Sequence, residues 1–127
     1  MLEAGMRKKG DTMIQCKRVY DDACEADGYR VLVDRLWPRG VKKEALQYDE
    51  WCKDLTPSAE LRKAFHGEVI DFASFCQHYR EELNQQRGEG LRLTTIAREK
   101  GLTLLYAAKN TQQNHALVLA DWLAHLE

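Results

Sequence analysis

Residues 29–40 read YRVLVDRLWPRG, and the fold follows from how this stretch is taken. Residues 29–33 are rich in β-formers and run on without polar alternation, the pattern of a strand covered on both faces, as in a parallel sheet. They lead straight into Asp34, Arg35, Trp37, Pro38 and Arg39, a cluster of charged, aromatic and rigid residues that folding alone hardly demands. In open α/β sheets ligands sit in the loops beyond the carboxyl ends of strands, so a cluster placed there marks a candidate site.

Two more strands flank this one in the sequence. Residues 14–20, IQCKRVY, alternate imperfectly, and Lys17 and Arg18 suit an edge, where charge discourages pairing with another molecule. Residues 102–107, LTLLYA, are almost wholly apolar and predict a third, buried strand. Asp27-Gly28 supplies a turn before the second strand. Between the second and third strands, residues 41–55 are mixed and read as loop or short helix, with Trp51 and Leu55 as core anchors.

Helical periods fill the rest. Thr56-Pro57 starts a helix, with threonine as N-cap and proline in the first turn, and His66-Gly67 stops it. Phe72, Phe75, Cys76, Tyr79 and Leu83 at three- and four-residue steps predict a longer helix over residues 69–87. Gly88 and Gly90 end it, a third helix covers residues 91–100, and Gly101 closes that one. Asn110 is positioned to cap a last helix, with Gln113 reaching back and Val118, Leu119, Trp122, Leu123 and Leu126 as its apolar stripe. The order predicts an α/β fold: a small, Rossmann-like arrangement in two or three layers, with a short, mainly parallel sheet and helices packed on it.

At 127 residues one domain is expected, over residues 13–127, preceded by a flexible tail at 1–12 that lacks any period. The net charge of −1 lacks the overall basic footprint of a nucleic-acid binder. Nothing resembles a signal peptide or a membrane span, so a cytoplasmic location is expected, with reduced thiols at Cys16, Cys24, Cys52 and Cys76. A phosphate-binding glycine loop, a nucleophile elbow and metal-ligand spacings are lacking, so no metal or cofactor is expected. A helix-turn-helix around His66-Gly67 is disfavoured because Phe72, Phe75 and Tyr79 make its second helix a core helix.

If the strands are parallel, residues 20–22, 34–40 and 109–115 meet at one edge. The candidate ligand-binding residues are then Arg35, Trp37, Arg39, Lys109, Asn110 and Asn114, with Asp34 and His115 as acid–base candidates. Arginine forks suit phosphate and carboxylate, and the free N–H groups at a helix start favour an anion. Asn114 and His115 are expected in the first turn of the last helix, and His66, His78 and His125 in loops or on helix surfaces. A purely structural account competes: Asp34 and Arg35 could pair within the fold, Trp37-Pro38 could pack a loop, and Lys109 could be solvated.

The phrases RVLVDRLWPRG (30–40), TPSAELRKAFHG (56–67) and TLLYAAKNTQQNHALVLADWL (103–123) closely resemble the bacterial domain of unknown function 488 family, in its YeaO-like branch. The resemblance spans nearly everything from Met13 onward. It implies a compact Rossmann-like α/β fold and a cytoplasmic bacterial protein, and it supplies no activity. Val33, Asp34 and Arg35 resemble the family's valine-aspartate-valine-arginine phrase. Where the wider family carries cysteine-histidine-arginine after the last strand, this chain has Asn114, His115 and Ala116, so thiol chemistry does not carry over. The expected function is binding, or a small enzyme acting on, an anionic small molecule such as a nucleotide or other phosphate ester. The alternative is a nucleic-acid-binding or regulatory module without catalysis.

Overall fold

The computed structural model describes residues 13–126, so the expected tail at 1–12 lies outside the described residues. Four strands, β1 (Ile14–Arg18), β2 (Tyr29–Leu32), β3 (Glu50–Trp51) and β4 (Leu102–Tyr106), form one sheet in the order β1-β4-β2-β3. Every pairing is parallel, with Tyr29 opposite Leu102 and Leu32 opposite Leu105. The helices are α1 (Ala59–His66), α2 (Phe72–Asn84), α3 (Arg87–Lys100) and α4 (His115–Ala124). The small α/β fold expected from the strand and helix periods is the one observed.

Alternation along the strands divides the sheet into two unequal faces. Val31, Val33, Leu102, Leu104 and Tyr106 join the side chains of all four helices in the main core, including Phe75, Tyr79, Leu93 and Leu119. Leu32 and Leu105 point the other way, into a small cluster with Val19, which follows β1, and with Trp37 and Leu46 from the irregular segment after β2. At about 1.5–3 kcal/mol for each large apolar side chain fully buried, the helical face supplies most of the driving force. The arrangement is therefore two-layered, helices on one face and coil on the other.

Several boundaries differ from expectation for identifiable reasons. Residues 41–55 were expected to be loop or short helix, but Glu50–Trp51 adds an edge strand on β2; two residues are too few to carry a period. Ser58, not Thr56, caps α1: its Oγ accepts the Leu61 amide while Glu82 accepts both the backbone N–H and the hydroxyl of Ser58. Thr56 instead donates to the Lys53 carbonyl. Asp71 caps α2 at the Ser74 amide, so that helix begins three residues later than Val69. Asn114, not Asn110, caps α4, accepting the Leu117 amide, and it is buried rather than exposed.

The expected stop at Gly88 and Gly90 is also corrected, because α3 begins at Arg87 and runs through both. A Cβ at Gly90 would lie 2.5 Å from the Trp122 ring and 2.6 Å from Leu126. The glycine lets α3 approach α4 closely, a packing requirement that local propensity cannot reveal. Gly28 has a different reason: at φ +65° a Cβ would sit 2.3 Å from the Lys100 carbonyl oxygen, where the start of β2 passes the end of α3.

On the coil-covered face, Asp27 is buried at 1 % exposure and is fully engaged. Lys17 and Arg30 pair with its carboxylate, and the Cys24 amide donates to it. Burial pushes the Asp27 carboxyl up, but hydrogen bonds from the Cys24 amide, Lys17, the Cys24 thiol and Arg30 outweigh it and bring the pKa down to about 2.

Two expectations follow for stability. Gly90→Ala should lower stability by about 1–3 kcal/mol through overpacking against Trp122, read as a lower urea midpoint, whereas Gly88→Ala, which meets nothing within 4 Å, should be neutral or better. Asp27 favours its charged form in the folded state, so its contribution is full above the unfolded value near 3.8 and disappears as pH falls through about 2. Urea unfolding at pH 7, 5, 3 and 2 should show wild type losing roughly 2 kcal/mol from this group alone, with the gap to Asp27→Asn narrowing towards pH 2. Parallel curves for the two proteins would contradict the assignment.

Candidate functional site

The two central strands, β4 and β2, end side by side, and the residues that follow them shape a cavity of about 390 Å3 above the helical face. Asp34, Arg35 and Leu36 come from the segment after β2; Ala108, Lys109 and Asn110 come from the segment after β4. Gln113, Asn114 and His115 add the start of α4, and Pro57, Arg62, Phe65 and His66 add α1 and its approach. Phe75 of α2 closes the inner wall, stacked on Phe65 with ring centroids 4.7 Å apart.

Asp34 and His115 meet at the floor of this cavity. One Asp34 oxygen, Oδ2, accepts the Ala107 amide at 3.0 Å, tying the end of β2 to the end of β4. His115 Nε2 lies 2.9 Å from the Val33 carbonyl oxygen and 3.0 Å from Asp34 Oδ1. With two acceptors around it, Nε2 carries the ring proton and directs it at Val33. Asp34 Oδ1 is thereby left buried without a hydrogen bond. Asn114 is spent on structure: its Oδ1 caps α4 and its Nδ2 donates to the Asn110 carbonyl, while Asn110 Oδ1 accepts the amides of Gln112 and Gln113.

The cations behave differently. Among the described residues, the side chains of Arg35 and Arg62 make no ion pair and no hydrogen bond, although both are only partly exposed; Arg62 Nε is buried and unsatisfied. Lys109 is exposed at the rim. Glu82, close by across α2, is occupied by Ser58. Three cations thus face one carboxylate around the cavity, and that carboxylate already holds Ala107 and His115.

Of the eight residues singled out in the sequence, six line the cavity: Asp34, Arg35, Lys109, Asn110, Asn114 and His115. Trp37 and Arg39 do not. The segment after β2 crosses the strand ends, so Trp37 falls on the opposite sheet face, edge-on to Trp51 and Tyr48, with its Nε1 donating to the Val41 carbonyl. Arg39 is exposed, and its carbonyl accepts the Tyr20 hydroxyl, which places both beyond β1 rather than at the cavity. Arg62, Phe65 and His66 were missed as site residues. Their spacing puts Arg62, Phe65 and His66 on one stripe of α1, a pattern that mixes charge with an apolar residue and was legible only once the helix had a place.

The thiols stand apart from this chemistry. Cys16 donates to the Ala116 carbonyl, and burial pushes its pKa up to about 12. Burial pushes Cys52 up to about 11, so neither is a thiolate at neutral pH. Glu50, Cys52 and Glu89 lie close enough together to suggest a cation site, but Arg92 already pairs with both carboxylates. No helix among the described residues is long and apolar enough to cross a membrane.

Comparison with known proteins places these features in a family. A family model described as the inactive DUF488-N3 subclade matches residues 13–126. The chain is 67 % identical over 113 residues to the uncharacterized protein YeaO of Escherichia coli (strain K12), covering 89 % of this chain and 98 % of that one. It is 37 % identical over 113 residues to the uncharacterized protein Rv3073c of Mycobacterium tuberculosis (strain ATCC 25618 / H37Rv), covering 89 % and 95 %. No solved structure matches. With a family match from end to end of the described fold and a near full-length relative at two-thirds identity, the chain belongs to the DUF488 family, in its inactive DUF488-N3 subclade.

Proposed function

We propose that this protein is a binding protein for a small anionic molecule, held in the cavity at the carboxyl ends of β2 and β4. The observation that carries the proposal is the pair of unpartnered guanidinium groups, Arg35 and Arg62, on one cavity. A half-buried arginine ordinarily finds a carboxylate, since an unsatisfied buried donor costs about 1–3 kcal/mol. Arg62 Nε is such a donor, and Arg35 stands on the same concavity with no partner among the described residues; together, with the start of α4 beside them, they favour an anion from solution.

Binding without turnover is the simpler account. The family model's description is of an inactive subclade, and the buried thiols are not nucleophiles at neutral pH. Asp34 and His115, the acid–base candidates, are both engaged with backbone and with each other, so their role here is to hold the floor and the two strand ends in register. Arg35, Arg62 and Lys109 hold the guest, and Asn110 and Asn114 shape the loop that presents Lys109.

Titration of isotope-labelled protein with phosphate, adenosine monophosphate and a short DNA duplex tests this. Amide signals of Asp34, Arg35, Lys109 and His115 should move with phosphate and the nucleotide at millimolar concentration. Arg62→Gln and Arg35→Gln should each weaken binding by roughly tenfold or more, the loss of a charge-assisted hydrogen bond. No movement near these residues, or steeply salt-dependent binding of the duplex alone, would overturn the proposal.

A further inference from the structure

The lining of the cavity is more selective than a bare anion site. Resting on the proposal that the cavity binds an anion, we infer that its guest is a phosphate monoester carried on a single flat apolar ring, rather than free phosphate, a carboxylate or a polyphosphate.

Charge sets the anionic end. Arg35 and Arg62 are both unpartnered, and Lys109 stands at the rim with the start of α4 alongside. A carboxylate is satisfied by one bidentate guanidinium, whereas a phosphate monoester carries about −1.5 to −2 charge at pH 7 and three acceptor oxygens. Two free guanidiniums match the second far better. A polyphosphate is disfavoured by the same inventory. It commonly arrives with a divalent cation that needs a free carboxylate, and Asp34, the one carboxylate lining the cavity, already accepts the Ala107 amide and abuts His115.

Shape and polarity set the other end. The wall opposite the rim is Phe65 stacked on Phe75, continued by Pro57, and Leu36 stands 68 % exposed at the mouth. Phe75 and Pro57 are themselves buried, so Phe65 and Leu36 offer the open apolar surface, which an inorganic anion would leave wet and a ring would cover. The volume of about 390 Å3 lies near the lower end of the roughly 300–1,000 Å3 usual for small-molecule sites. One ring and one phosphate fit within such a space with room to spare.

Calorimetric titration of the whole protein with phenyl phosphate, inorganic phosphate, benzoate and magnesium adenosine triphosphate separates these classes. Phenyl phosphate should bind most tightly, by roughly tenfold or more over inorganic phosphate, as expected for burying one ring. Phe65→Leu and the exposed Leu36→Ser should each weaken phenyl phosphate more than inorganic phosphate and so erode that advantage, with circular dichroism as the check that both variants fold. Equal affinity for inorganic phosphate and phenyl phosphate would overturn the ring while leaving anion binding intact. Benzoate matching phenyl phosphate would overturn the dianion, and a preference for the triphosphate would overturn the monoester. Silence with all four probes would overturn both this inference and the anion site on which it rests.

Discussion

The carboxylate of Asp34 takes the Ala107 amide on one oxygen and lies against the imidazole of His115 with the other, while His115 also donates to the Val33 carbonyl. This contact locks together three pieces of chain that are remote in sequence: the ends of β2 and β4 and the first turn of α4. In a parallel sheet the strand ends carry backbone groups with no ladder partner, and something must satisfy them where water is thinned out. Asp34 and His115 do so, and in doing so they fix the depth and floor of the cavity. The Trp51 indole donating to the Asp34 carbonyl extends the same tie to β3.

Two groups of charges in the molecule make an instructive contrast. On the coil-covered face, Asp27 is buried but saturated: Lys17, Arg30 and the Cys24 amide all converge on it, and Gln15 and Thr103 complete the surroundings. That cluster has a structural explanation in full, because each charge has a partner and the fold supplies it. Around the cavity the balance fails. Arg35 and Arg62 approach the same space with nothing among the described residues to meet them, and Asp34 Oδ1 accepts no hydrogen bond there. Charges clustered for folding close upon themselves; charges clustered for a ligand leave positions open.

Much of the sheet was legible in the sequence, for a physical reason. The runs at 29–33 and 102–107 carry only one polar residue each, Arg30 and Thr103, because both strands are covered on both sides, and burial of every residue in β4 reflects its place between β1 and β2. What stayed illegible depended on packing between remote segments. Gly90 looks like a helix terminator until Trp122 is placed beside it. Glu50–Trp51 is too short for a period and exists because β2 has a free edge to offer. Asn110 and Asn114 both fit a cap rule, and it is Asn114, buried beneath the segment after β4, that accepts the helix amide of Leu117. The site divided along similar lines: Asp34, Arg35, Lys109 and His115 follow strands and could be found by position, whereas Trp37 faces the other side of the sheet after a three-residue crossing, and Arg62 enters from a helix whose docking no local pattern announces.

One external anion is proposed to serve both Arg35 and Arg62, which have no partner among the described residues. A crystal structure of the protein grown with phenyl phosphate tests it most directly. The account predicts the phosphate between the two guanidinium groups, the ring against Phe65, and the contact of Asp34 with Ala107 and His115 undisturbed. Phosphate density at some other place on the surface, or Arg35 and Arg62 each turned to a carboxylate of the chain with the cavity filled only by water, would contradict it.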